Sequence, residues 1–182
     1  MHRSRHIQYV SQNEIDKVKW DACIDKAGNG LIYAYSFYLD RMAANWDALV
    51  LNDYEAVMPL TYNKKYGIHY LYQPFLSAQL GLFGTGVDAG MLKYFLDTVP
   101  VKFKYWDIYL NHKNLFSLEK YVIYERINYV LSLNKNYGEL YNNYRENTKR
   151  NIKRALQAGC YTATDFDPAE VIRLAKEQVL LF

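Results

Sequence analysis

Only two cysteines, Cys23 and Cys160, occur in 182 residues, too few for a disulfide-rich scaffold, and they are expected as reduced thiols of a cytosolic protein. The four histidines, His2, His6, His69 and His112, fall into no ligand spacing, and with the cysteines unpaired no metal site is expected. No apolar run approaches the roughly 18 residues needed to span a bilayer. The N-terminal Met-His-Arg-Ser-Arg-His lacks the apolar core of a signal peptide, so the expected location is the cytoplasm. There is no Gly-x-Ser-x-Gly elbow, and Cys160, beside Gly159 at a helix exit, reads as a packed thiol rather than a nucleophile. Repeats, linkers and low-complexity tracts are also missing.

What is present suits an ordinary core. With 51% hydrophobic and 23% charged residues, residues 1–182 are expected to form a single domain that needs neither metal nor disulfide. The patterns predict a strand over 7–10, a helix over 13–27 capped by Asn13 with Ile15, Val18, Ala22 and Cys23 inward, and a helix over 36–44 capped by Ser36. A hairpin follows, 46–51 and 56–62 about Asn52-Asp53. Further strands are expected at 68–72, 105–110, 121–124, 128–133 and 160–163, with a helix capped by Asp88 to residue 99 and another over 168–182 opened by Asp167-Pro168. Strict βα alternation fails between residues 46 and 72, which argues against a doubly wound parallel sheet. The fold class is therefore α+β, a mostly antiparallel mixed sheet flanked by helices.

Charge is concentrated in one place. Residues 145–154 carry Arg145, Lys149, Arg150, Lys153 and Arg154 against the single acid Glu146, a local +4 in a chain whose total is +3. In a helix over 140–159, Leu140, Tyr141, Tyr144, Thr148, Ile152 and Ala155 share one broad arc and the cations take the other. A basic outer face is commonly only a solvated surface. Here Glu146 can reach Arg150, whereas Lys149, Lys153 and Arg154 have no carboxylate four residues before or after them, a pattern suited to attracting phosphate. Nineteen tyrosines against eight phenylalanines fit strand propensity and half-buried positions. Beside cations they also offer stacking surfaces for nucleobases, although their spacing singles none out.

Two separated stretches carry a family resemblance. Arg126-Ile-Asn-Tyr-Val-Leu-Ser-Leu133, then Arg145-Glu-Asn-Thr-Lys-Arg-Asn-Ile-Lys-Arg-Ala155, resembles the FemABX-type peptidyltransferases of the GNAT acyltransferase superfamily, whose helix carries a Thr-basic-basic-x-Ile-basic-basic-Ala pattern, here Thr148 to Ala155. Upstream, Ser36-Phe-Tyr-Leu-Asp-Arg41, Asn45-Trp-Asp-Ala-Leu-Val-Leu51 and Glu55-Ala-Val-Met-Pro-Leu60 resemble the family's first helix and first hairpin. Complete members generally carry two tandem GNAT-like halves, and the resemblance implies that this chain corresponds to the first, with 160–182 as the possible start of a second.

The resemblance implies transfer of an amino acid from aminoacyl-tRNA to an amine such as that of a cell-wall precursor. It places Lys149, Arg150, Lys153, Arg154 and, less directly, Arg41 toward a tRNA or nucleotide-linked peptide. No general base is marked: Asp47, Asp53 and Asp107 lie at strand edges or turns. GNAT enzymes that use acetyl-CoA cradle its pyrophosphate on a Gln/Arg-x-x-Gly-x-Gly/Ala turn. In Gln79-Leu-Gly-Leu-Phe-Gly-Thr-Gly86, Gly81 stands where Gln or Arg is required, and the segment reads as a flexible loop. Acetyl-CoA-dependent N-acetyl transfer is thus the second reading, and a catalytically silent binding module or partner subunit the third. Val171, Leu174, Ala175 and Val179 on one side of the last helix, followed by Leu180-Leu-Phe182, are expected to dock on a second GNAT half or on another copy.

Overall fold

The structure is a computed structural model that describes residues 6–179. Contacts divide it into two compact units, Met1–Glu125 and Arg126–Phe182.

The first unit is built on a six-stranded sheet. Strand β1 (Ile7–Val10) leads through a 3₁₀ turn to helix α1 (Lys17–Lys26) and then α2 (Ser36–Met42), followed by β2 (Asn45–Leu51), β3 (Ala56–Lys65), β4 (Ile68–Tyr72), β5 (Phe83–Gly84), α3 (Ala89–Thr98) and β6 (Phe103–Asp107). The sheet order is β1-β2-β3-β4-β6, with the short β5 pairing β3. Every pair is antiparallel except β4 with β6, which are parallel and joined through α3. The unit is thus α+β, with a mixed, mostly antiparallel sheet and helices on both of its faces.

Period-two alternation explains the two cores. Leu49 and Leu51 of β2 join Met58, Leu60, Leu71 and Phe103 against Leu92, Phe95 and Leu96 of α3. The alternate residues Trp46, Ala48 and Val50 join Val57 and Phe83 against Trp20 and Ile24 of α1 and Leu39 of α2. Covered on both faces, β2 is buried at six of its seven positions. Trp20 and Trp46 meet at 5.1 Å between ring centroids. Each satisfies its indole N–H, Trp20 donating to the Ala34 carbonyl at 2.7 Å and Trp46 to Asp40 at 3.0 Å.

Helix α1 corrects the sequence expectation. Its cap is Asp16, whose carboxylate accepts the N–H groups of Val18 and Lys19 at 3.1 Å, and not Asn13, which lies in the 3₁₀ turn. With that start the inward face is Trp20, Cys23, Ile24 and Ala27, an i, i+3, i+4, i+7 stripe, while Val18 is 81% exposed. Helix α2 likewise begins at Ser36 with Tyr35 as its cap; the Ser36 hydroxyl instead donates to Asp21 at 2.8 Å. Asp88 does cap α3, accepting from the Met91 N–H at 2.7 Å.

The second unit contains α4 (Tyr137–Asn142), α5 (Glu146–Gln157) and α6 (Pro168–Val179). The single basic helix expected over 140–159 is two helices, interrupted at residues 143–145. No strand forms at 121–124, 128–133 or 160–163. The β-prone side chains of Val122, Tyr124, Ile127, Tyr129 and Val130 are each more than four-fifths exposed, so they lack the packed face that makes such a run a strand. In α6, Val171 and Leu174 are each about half exposed; Leu180, Leu181 and Phe182 lie outside the described residues. No helix among the described residues is long and apolar enough to cross a membrane.

Candidate functional site: a basic helix and a pinned glycine segment

Asn136 opens the basic region. Its side chain accepts the Glu139 N–H at 3.0 Å and donates back to the Glu139 carboxylate at 2.7 Å, a reciprocal cap that starts α4. Arg145 then sits at the N-cap of α5 without a side-chain cap bond. Around α5, Lys149, Lys153, Arg150 and Arg154 span an arc of about 140° at 100° per residue, and Arg150, Lys153 and Arg154 are exposed. Leu140, Tyr141, Tyr144, Ile152 and Ala155 are half-buried, as their common arc predicts, whereas Thr148 is exposed.

The pairing on this face differs from expectation. Glu146 reaches Lys149, one turn on at 2.9 Å, and not Arg150; Arg150 donates to the Asn147 side chain at 2.6 Å. Lys149 also lies 6.0 Å over the Tyr141 ring, and its side chain is 24% exposed. Lys153 and Arg154 make no ion pair with any described residue. The helix therefore offers two unneutralised cations beside two weakly engaged ones. Sequence reasoning missed the aromatic row beside them: Tyr137 and Tyr141 lie 5.9 Å apart by ring centroid, and Tyr141 and Tyr144 6.0 Å. The 137/141/144 spacing is the signal that could have found it. Arg41 lies exposed in the last turn of α2, in the other unit.

The glycine segment of the first unit is not a flexible loop. Residues 80–84 are buried and carry β5. The Leu80 N–H donates to the Tyr109 carbonyl at 2.7 Å, the Leu82 N–H to Asn114 at 2.8 Å and the Gly84 N–H to Asn29 at 3.4 Å. Asn29, Asn111 and Asn114, all at most 3% exposed, close the network: all three donate to the Leu82 carbonyl, at 2.8, 2.9 and 3.1 Å respectively. A pyrophosphate cradle needs free, convergent N–H groups, and those of Leu80, Leu82 and Gly84 are taken by protein acceptors. The buried stretch 80–84 therefore does not fit the pyrophosphate of coenzyme A. Calorimetry with acetyl-CoA should accordingly show nothing tighter than about 100 μM, about −5.5 kcal/mol; a low-micromolar constant would overturn this.

A second polar cluster joins three elements. The Tyr9 hydroxyl donates to Asp47, which is 5% exposed, and the Gln12 N–H donates to the same carboxylate at 3.0 Å. The Lys102 ammonium lies 2.6 Å from the Tyr9 hydroxyl and 3.6 Å from Asp47. It also sits over the rings of Tyr9, Phe103 and Tyr62 at 4.7, 4.9 and 5.5 Å. Burial first, then the Asp47 hydrogen bond, pushes the Tyr9 phenol well above its ordinary value. With every polar group satisfied from within, the cluster ties β1, β2 and the start of β6 together. Asp53 is exposed and paired with Lys19 at 2.6 Å, and Asp107 is exposed at the end of β6.

Cys23 lines a shallow cleft with Lys26, Asp53, Tyr54, Glu55 and Thr85. Burial pushes its thiol up to about 11, which keeps it protonated and unreactive. Cys160 is exposed. Among the described residues no three His, Cys, Asp or Glu side chains gather as a metal ion would require.

No protein-family model matches this chain, and no match is found among curated proteins or solved structures.

Proposed function

We propose that this chain is a GNAT-like half of a Fem-type aminoacyl transferase, and that the outer face of α5 holds the phosphates of an aminoacyl-tRNA or a nucleotide-linked peptide. The observation that carries the reading is the basic run Lys149, Arg150, Lys153 and Arg154 within the Thr148 to Ala155 pattern, with Lys153 and Arg154 exposed and unneutralised among the described residues. The mixed, mostly antiparallel sheet with helices on both faces is compatible with such a half, and the occupied N–H groups of Leu80, Leu82 and Gly84 weigh against the acetyl-CoA alternative.

Transfer of this kind asks little covalent help from the protein. The ester carbon of the donor is attacked by the acceptor amine, the ribose hydroxyl leaves, and the amine proton passes to a base or to the substrate's own groups. Bringing the two together supplies most of the acceleration. The chain's part is to fix the donor by its phosphates, in the cytoplasm where aminoacyl-tRNA is made. The exposed Val171 and Leu174 of α6 would face the second half or another copy.

Titrating the protein with a labelled tRNA at several salt concentrations tests this. Log K should fall linearly with log salt, with a slope of about −0.7 to −0.9 for each phosphate engaged. Absence of salt-sensitive binding to tRNA and to a nucleotide-linked peptide alike would leave α5 a solvated surface and remove the reading.

A further inference from the structure

We infer that the α4 tyrosines make this basic helix a reader of single-stranded RNA, with Tyr137 as the stacking platform; the inference rests on the phosphate-binding reading of α5 and names the nucleic acid it prefers. Three observations within one compact unit carry it. Tyr137 leads the row formed with Tyr141 and Tyr144, and it is 63% exposed while the two rings behind it are half-buried. A planar surface is thus held toward solvent on a packed backing. Lys149 joins the row to the cations by lying over Tyr141, its middle ring. The Asn136 side chain caps α4 immediately before Tyr137 and pairs with Glu139 in the first turn, which holds the backbone under the Tyr137 ring helical and limits the entropy lost when a base docks.

The chemistry separates strand from duplex. A duplex buries its base faces in its own stack and presents only phosphates and groove edges, whereas an unpaired strand offers π-faces to aromatic side chains next to a cationic track. Cations alone bind both forms, and stacking adds affinity for one. The nucleic acid this face takes is therefore an unpaired end or loop, and the readout tolerates any base because every base has a π-face.

The experiment uses the full chain, one labelled RNA strand lacking self-complementarity, and a blunt RNA duplex of equal length, with Tyr137→Leu and Tyr137→Phe compared against wild type. Tyr137→Leu should weaken single-strand binding by about 5- to 150-fold, the span of one base–aromatic stack, and leave duplex binding and its salt slope unchanged. Tyr137→Phe, which keeps the ring, should bind as wild type does. Because Tyr137 is exposed, both variants should fold. If wild type binds both RNAs with the same salt-sensitive affinity, or Tyr137→Leu loses nothing on the single strand, the stacking inference is wrong and the phosphate reading stands. If wild type binds neither RNA, the RNA form of the phosphate reading falls and takes the inference with it.

Discussion

Gly81→Ala should destabilise the first unit by roughly 3 to 5 kcal/mol, lowering the denaturant midpoint at constant slope and the melting temperature by about 10 °C. Gly81 has φ +92°, a region in which a Cβ costs on the order of 1–2 kcal/mol. Its neighbourhood adds more, for an added Cβ would stand 2.6 Å from the Asn114 side-chain oxygen, 2.9 Å from a Leu110 methyl and 3.2 Å from the Leu110 Cα. Asn114 cannot simply move, since that oxygen accepts the Leu82 N–H and an Asn111 N–H at 2.8 and 3.2 Å. Displacing it strands buried donors at about 1–3 kcal/mol each. Gly67 supplies the control: its φ is +82°, yet nothing lies within 4 Å of an added Cβ, so Gly67→Ala should cost only about 1 kcal/mol. Equal losses for the two variants, measured by urea unfolding, would show that the buried amide network does not hold the segment rigid.

Strands β1 to β4 are legible in the sequence, whereas β6 forms at Phe103–Asp107 rather than over 105–110, and the two-residue β5, though buried, lies in a stretch that reads as a glycine loop. The run 46–51 reads correctly because both of its faces are covered, and Asp88 reads as a cap because an amphipathic helix follows it. Residues 128–133 have the same β-prone composition, yet tertiary packing decides strand formation, and Val130 is 85% exposed. The α1 cap was misplaced by three residues because Asn13 and Asp16 are equally good local signals. The difference is tertiary: Ile15 is buried and the Asp16 N–H donates to the Tyr54 hydroxyl, which holds residues 13–15 out of the helix. The start of α4 at Tyr137 rather than Leu140 could have been read from Asn136 and Glu139, whose spacing is that of a reciprocal cap. Site residues fared by the same rule. The cations of α5 are visible because they adjoin in sequence, whereas Asn29, Asn111 and Asn114, and Tyr9, Asp47 and Lys102, are joined only by the fold and carry no local mark.

Replacing Lys149, Arg150, Lys153 and Arg154 together by Gln should reduce RNA affinity at least tenfold, about 1.4 kcal/mol, and flatten the salt dependence by about 0.7 to 0.9 for each phosphate the variant no longer holds. Stability should change far less. Gln matches Lys and Arg closely in helix propensity, and exposed substitutions usually stay within about 0.5 kcal/mol each. The losses on the folded side are small and identifiable: the Glu146 pair with Lys149 joins a partner that is 89% exposed, and such surface pairs contribute about 0–1 kcal/mol. Arg154, in the last turn, also gives up a favourable interaction with the helix dipole of a few tenths of a kcal/mol. Relief of repulsion among the four cations opposes both. The decisive comparison is therefore between two curves for the same variant, unfolding and RNA binding. An intact unfolding transition with lost, salt-insensitive binding assigns the face to phosphate, whereas wild-type binding by the quadruple variant reduces it to a solvated helix surface.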